Sequence, residues 1–133
     1  ELHIGYVAFS PLANGFLSGK YDKSSQFDAE TDYRNVMPQF QPENFDRNRE
    51  LLTLLQKLAE QNNATPAQIS LAWMLCKKPY IVPIPGTRKL SRLLENAGAA
   101  DVTLSNKEVH AIDEALNGME MSEVFGGSKI VSK

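Results

Sequence analysis

Cysteine and histidine are nearly absent from this chain. Its 133 residues hold one cysteine, Cys76, and two histidines, His3 and His110. A single thiol excludes an internal disulfide framework and a cysteine-based zinc cluster. The two imidazoles lie far apart and match no metal-ligand spacing, so no metal site is expected. No apolar run approaches the roughly 18 residues that cross a bilayer, so no membrane partner is expected. A basic excess is missing too: 14 Lys and Arg stand against 16 Asp and Glu, a formal net charge of −2. That balance argues against general nucleic-acid binding but leaves room for one local basic pocket that takes a small anion. No signal peptide is visible. The first residue is Glu1 rather than methionine, so the natural start is expected to lie upstream.

What is present is a globular composition, 42% hydrophobic and 23% charged, at the length of one ordinary domain. Residues 4–9, Ile-Gly-Tyr-Val-Ala-Phe, are apolar on both faces and predict a buried strand of a parallel sheet. Pro11 ends it and opens a loop. Residues 20–43 show no period. Their scattered Phe27, Tyr33, Met37 and Phe40 predict either a loop folded over something or a surface excursion. Residues 46–61 predict one helix with Leu51, Leu54, Leu55 and Leu58 as its apolar stripe.

Thr65-Pro66-Ala67-Gln68 carries the signature of a capped helix start: a threonine cap, proline at the first helical position and glutamine three residues after the cap. The following stretch to Cys76 is apolar nearly all round, which predicts packing against more than one layer, with Cys76 inside it. Residues 80–84 predict a second short buried strand that ends at Pro83. Two further helices are expected, at about 90–97 and from Ser105, the latter with Glu108 completing a capping box. The tail from Gly118 has no clear period. Strands alternating with helices point to parallel βαβ units. Two strands cannot support helices on their faces, so the sheet needs strands beyond these two.

The chemistry concentrates at residues 84–96. A strand, a glycine turn and a helix start follow one another, and free backbone N–H groups at such a start suit a phosphate. Thr87 adds a hydroxyl donor. Arg88 and Arg92, four apart, reach one side of the first helical turn, and guanidinium forks match phosphate oxygens. Glu95 and Asn96, a turn further on, offer an acceptor and a donor suited to an adenine. The same residues also fit a capped surface helix whose arginines pair with Glu95 and solvent.

Three motifs in this order resemble one known family: Tyr6-Val7-Ala8-Phe9-Ser10-Pro11-Leu12 with Gly15-Phe16-Leu17-Ser18-Gly19-Lys20; Ala64-Thr65-Pro66-Ala67-Gln68-Ile69-Ser70-Leu71-Ala72-Trp73; and Ile81-Val82-Pro83-Ile84-Pro85-Gly86-Thr87-Arg88 leading to Glu95-Asn96. Across essentially its whole length, residues 1–133, the chain resembles the C-terminal half of an aldo-keto reductase. The resemblance implies an α/β fold, the C-terminal half of a (β/α)8 TIM barrel. Residues 6–9 and 80–83 would be its seventh and eighth strands, 66–77 and 89–97 barrel helices, and 46–61 and 105–117 extra helices. It implies NADP as cofactor, a small-molecule carbonyl substrate and a cytoplasmic setting.

By the same resemblance Ser10, Leu12 and Gly15 lie beside the pyrophosphate, with Lys20 at the end of that loop. Thr87, Arg88 and Arg92 match the 2′-phosphate clamp, and Glu95 and Asn96 the adenine contacts. Two guanidiniums favour NADP over NAD, whose ribose offers only a neutral hydroxyl. Gly86 departs from the lysine many relatives carry, which removes one positive charge. The catalytic tyrosine, lysine, aspartate and histidine of the family belong to the upstream half. No catalytic residue is therefore expected here: Tyr6 and Tyr80 would fill barrel layers, and Tyr21 and Tyr33 sit in the loop. The expected whole is an NADPH-dependent carbonyl reductase of which this chain is the cofactor-clamping part, inactive alone and requiring the missing strands from its own upstream half or another chain. The alternatives are a nucleotide-binding regulatory subunit resembling potassium-channel β subunits, and a truncated inactive product.

Overall fold

The computed structural model describes residues 4–118. His3 and the tail beyond Gly118 lie outside the described residues. Strands β1 (Tyr6–Ala8) and β2 (Ile81–Pro83) pair in parallel, with Tyr6 opposite Ile81, Val7 opposite Val82 and Ala8 opposite Pro83. The ladder is extended by Tyr6 N–H donating to Tyr80 O (2.7 Å) and Ile84 N–H to Ala8 O (3.2 Å). Tyr80 and Ile84 therefore face β1, and Pro83, between them in alternation, turns its missing N–H to the other edge.

Between the strands run α1 (Pro42–Arg47), α2 (Arg49–Gln61) and α3 (Pro66–Lys77); after β2 come α4 (Leu90–Ala97) and α5 (Asn106–Asn117). The helix expected over 46–61 is two helices. Pro42, pre-set for a first helical turn, starts α1 earlier, and the chain breaks at Asn48, with φ −93° and ψ 5°. There the Asn48 side-chain amide donates to Asn44 O at 2.7 Å, a local bond that competes with regular helix geometry. The stretch 20–43 contains two short 3-10 turns, Tyr33–Val36 and Pro38–Phe40. It folds over an aromatic cluster: Phe16, Met37, Phe40 and Phe45 are buried, and Tyr21, Phe27 and Leu52 pack against them. Phe27 and Phe40 meet edge-on with ring centres 4.9 Å apart, a favoured aromatic geometry.

The larger core joins α2, α3 and α5. Leu51, Leu55 and Leu58 meet Ile69 and Ala72, and Leu104 and Ile112 close the other side. Both capping boxes form. Thr65 Oγ1 accepts from Gln68 N–H (3.2 Å) while Gln68 Oε1 accepts from Thr65 N–H (2.9 Å); Ser105 and Glu108 do the same at α5. Asn62 Nδ2 donates to Leu58 O (2.9 Å) and to Glu108 Oε1 (2.7 Å), tying the end of α2 to the start of α5. At the far end of α3, Trp73 Nε1 (2.8 Å) and Lys77 Nζ (2.6 Å) both donate to the Asp113 carboxylate. They hold its pKa below the ordinary 3.8, Lys77 contributing most.

Three expectations about burial are corrected. Cys76 is exposed, not packed: the last turn of α3 runs past the layers that bury Ile69 and Leu71, and Leu75 beside it is exposed as well. The strands are not buried either. Of β1 only Ala8 is covered, while Tyr6 and Val7 are each 60% exposed. Tyr6 and Tyr80 therefore fill no layer here, because among the described residues the sheet has two strands and both its outer edges are unpaired. The apolar stripe of α4, Leu90, Leu93 and Leu94, is uncovered for the same reason.

Ile69→Ala, at a fully buried side chain, should cost about 2–5 kcal/mol, and Thr65→Ala about 1 kcal/mol, both read from urea unfolding midpoints. Asp113, with its pKa lowered, contributes stability that is complete above the ordinary carboxylate value and is lost as pH falls through the folded-state value. Asp113→Asn should therefore flatten the acid limb of the melting-temperature profile below about pH 4 and leave its shape near neutrality unchanged.

Candidate functional site

The segment after β1 departs at once from ordinary backbone geometry. Ser10 (φ 50°), Ala13 (φ 47°) and Asn14 (φ 57°) are all left-handed, as is Gly15 (φ 94°). Non-glycine residues held so cost free energy and concentrate at binding sites. The loop is fixed by Ala13 N–H donating to Ser10 O (2.9 Å) and Ser18 Oγ donating to Gly15 O (2.6 Å). Buried Phe16 anchors it in the aromatic cluster. Gly15 is required twice over: its φ suits glycine, and a Cβ there would lie 3.2 Å from Tyr21 Cε2.

The second wall follows β2. Pro85 and Gly86 lead into Thr87, whose Oγ1 accepts from Lys89 N–H (3.2 Å). The hydroxyl proton of Thr87 stays available to a ligand, and Thr87, Arg88 and Lys89 are exposed. No side chain caps α4, in contrast to the full boxes on α3 and α5. Gly86 has open space around it, with nothing within 4 Å of an added Cβ.

These walls and the strap 20–41 enclose one open cleft of about 790 Å³. Every residue expected at the site lines it: Ser10, Leu12, Gly15 and Lys20 from the first loop, Gly86, Thr87 and Arg88 from the turn after β2, and Arg92, Glu95 and Asn96 from α4. Arg92 pairs with Glu95 within α4, one of the two arrangements that spacing alone left open. Arg88 has no hydrogen-bonding or ion-pair partner among the described residues. Arg34, Asp32, Tyr21 and Lys89 also line the cleft and were not singled out from the sequence. Arg34 is held in a fork by Asp32, donates to Tyr21 Oη and lies 4.8 Å over the Tyr21 ring and 4.7 Å over that of Phe27. Asp32 and then Tyr21 hold its pKa above the ordinary arginine value. The Asp32-x-Arg34 spacing was the only sequence signal, and the Tyr21 contact spans 13 residues of patternless chain.

Chemically the cleft is a cationic trough. Lys20, Arg34, Arg88, Lys89 and Arg92 stand against Asp32 and Glu95, in a chain of net negative charge. It lies at the C-terminal ends of two parallel strands, where open and closed α/β sheets place anionic ligands. The architecture is that of part of a parallel α/β barrel. It superposes on a glycerol dehydrogenase of Gluconobacter oxydans with a TM-score of 0.70 at 24% identity, covering 86% of this chain and 36% of that one.

A model of the aldo/keto reductase family matches residues 1–117, and the chain belongs to that family. It is 45% identical over 121 residues to an aldo-keto reductase of Schizosaccharomyces pombe whose name carries NADP(+), covering 91% of this chain and 35% of that protein. It is 41% identical over 126 residues to an aldo-keto reductase of Strobilurus tenacellus, covering 95% of this chain and 36% of that one. The chain thus spans about a third of the length of these relatives, rather than the half expected.

Because Gly15 combines a left-handed φ with a tight approach to Tyr21, Gly15→Ala should lose about 1–2 kcal/mol and loosen the loop. Faster amide hydrogen exchange over residues 12–20 than in the parent chain would register it; unchanged exchange would mean the loop is held elsewhere.

Proposed function

We propose that this chain is the part of an NADP-dependent aldo-keto reductase that holds the adenosine and pyrophosphate portions of the cofactor. The observation that carries the reading is the convergence of Arg88, Arg92 and Thr87 with Ser10 and Lys20 on a single cleft. The donor set fits a phosphorylated dinucleotide. Lys20 and the strained loop at Ser10 suit a pyrophosphate; Arg88, Arg92 and the Thr87 hydroxyl suit a 2′-phosphate, which gains charge-assisted bonds that a ribose hydroxyl cannot match. Glu95 and Asn96 suit an adenine edge. Gly86 leaves the cleft mouth open where a longer side chain could stand.

When bound, the nicotinamide group supplies a hydride to the carbonyl carbon of a small aldehyde or ketone. This chain's own residues bind and orient; none moves a proton. Tyr21 is committed to Arg34. Tyr6, Tyr33 and Tyr80 are exposed. The proton donor belongs to the remaining two thirds of the protein, so the chain alone is inactive. Residues 1–133 are on this reading one portion of a single barrel. Support comes from exposed apolar side chains: Val7, Val82, Ile84, Leu90 and Leu94 are all at least 50% exposed.

The test is NADPH titration of the complete protein against an Arg88→Ala, Arg92→Ala variant. Loss of two charge-assisted contacts should weaken binding at least about tenfold while NADH binding changes little. Equal NADPH affinity in both proteins would overturn the assignment.

A further inference from the structure

Neither carboxylate in the cleft is idle: Asp32 pairs with Arg34, and Glu95 pairs with Arg92. The first pair braces the strap against Tyr21 and Phe27. The second has no such structural duty. On α4 the arginine precedes the glutamate by three residues, with Arg92 in the first turn and Glu95 toward the end. That order opposes the helix dipole, which favours acids early and bases late. As a helix staple the pair is therefore poorly placed. Glu95 is nevertheless well held: its backbone carbonyl accepts from Gln68 Nε2 (3.0 Å), and its side chain is 16% exposed against 41% for Arg92. The carboxylate is the more buried member of the pair and the guanidinium the more exposed.

We propose that Glu95 is an internal competitor for Arg92. Its carboxylate holds the guanidinium, and an arriving 2′-phosphate must take that guanidinium over, so Glu95 sets how strongly the protein prefers a 2′-phosphorylated nucleotide. The inference rests on the reading of the cleft as an adenosine 2′-phosphate site. The physics is a contest of two anions for one cation. A phosphate and a carboxylate sharing one fork repel each other, so the phosphate binds best once the carboxylate lets go. The exchange is small in cost because a partly exposed ion pair is worth little. It also has a second consequence: the Glu95 oxygens released by Arg92 become acceptors for an exocyclic amine at the same end of the cleft, next to Asn96. Recognition of the phosphate and of the base is thereby linked through one side chain.

Glu95→Gln isolates the contest, because glutamine keeps the size and one acceptor oxygen and loses only the charge. In the complete protein, at low ionic strength, Glu95→Gln should raise the ratio of NADP+ to NAD+ affinity about twofold to fivefold, the adenine contact being common to both nucleotides. Added salt should shrink the gain, and an Arg92→Ala background should abolish it. An unchanged or lower ratio in Glu95→Gln, or a gain that survives Arg92→Ala, overturns the proposal. If the parent protein binds NADP+ no better than NAD+, both this proposal and the assignment of the cleft fail. A parent preference for NADP+ without a gain from Glu95→Gln overturns only the competition.

Discussion

One side chain joins the scaffold to the site. Gln68 closes the capping box at the start of α3 with its oxygen and, with its amide nitrogen, donates to the Glu95 carbonyl on α4. The residue that tells α3 where to begin thus also places the helix that carries Arg92, Glu95 and Asn96. Gly98 keeps that route open, since a Cβ there would come within 2.7 Å of Gln68 Nε2. The glutamine is fixed because α3 is fixed: Ile69 and Leu71, which follow within three residues, are the largest fully buried side chains among the described residues. Burial of this kind dominates folding energetics. The polar bond to Glu95 adds direction rather than strength.

How much could be read in the sequence follows from the range of each interaction. The α3 and α5 starts were legible because a capping box is written within four consecutive residues. The helix from Leu90 was legible from its leucines. The break at Asn48 was not, because the bond that makes it is a side chain reaching one turn back, and asparagine in a leucine-rich helix carries no unique signal. The exposure of Tyr6, Val7 and Cys76 was also hidden. Apolar runs predict burial by whatever covers them, and a chain spanning a third of its relatives' length does not itself supply every cover.

The site divides in the same way. The Gly86-to-Asn96 segment is compact in sequence, so its residue types suggested a candidate anion site, beside the alternative of a capped surface helix, before any geometry was known. Arg34 was invisible because its meaning comes from Tyr21, Phe27 and Asp32 around it. Aromatic packing over Phe16 and Phe40 gathers an irregular strap that has no hydrophobic period to reveal it. The two cores do different work for the cleft. The leucine core of α2, α3 and α5 sets the position of the α4 wall, while the aromatic cluster sets the opposite wall and its arginine.

Strain and charge then have complementary roles. Ser10, Ala13 and Asn14 hold left-handed backbone that unsupported residues would abandon. The Phe16 anchor and the bonds at Ser10 O and Gly15 O over-determine the loop and keep it there. On the other wall, Arg88 and Lys89 stand exposed in a chain whose overall charge would repel an anion. A trough of cations in a slightly acidic protein attracts an anion only over about a Debye length, so capture depends on local groups and not on the whole molecule's field. For that reason the pairing of each cleft arginine matters more than the sum of charges. Arg34 is bound into the strap, Arg92 is shared with Glu95, and Arg88 alone is uncommitted among the described residues. On the proposed reading of the cleft, the first contact with an incoming phosphate falls to Arg88 and the Thr87 hydroxyl, with Arg92 recruited afterwards from its carboxylate.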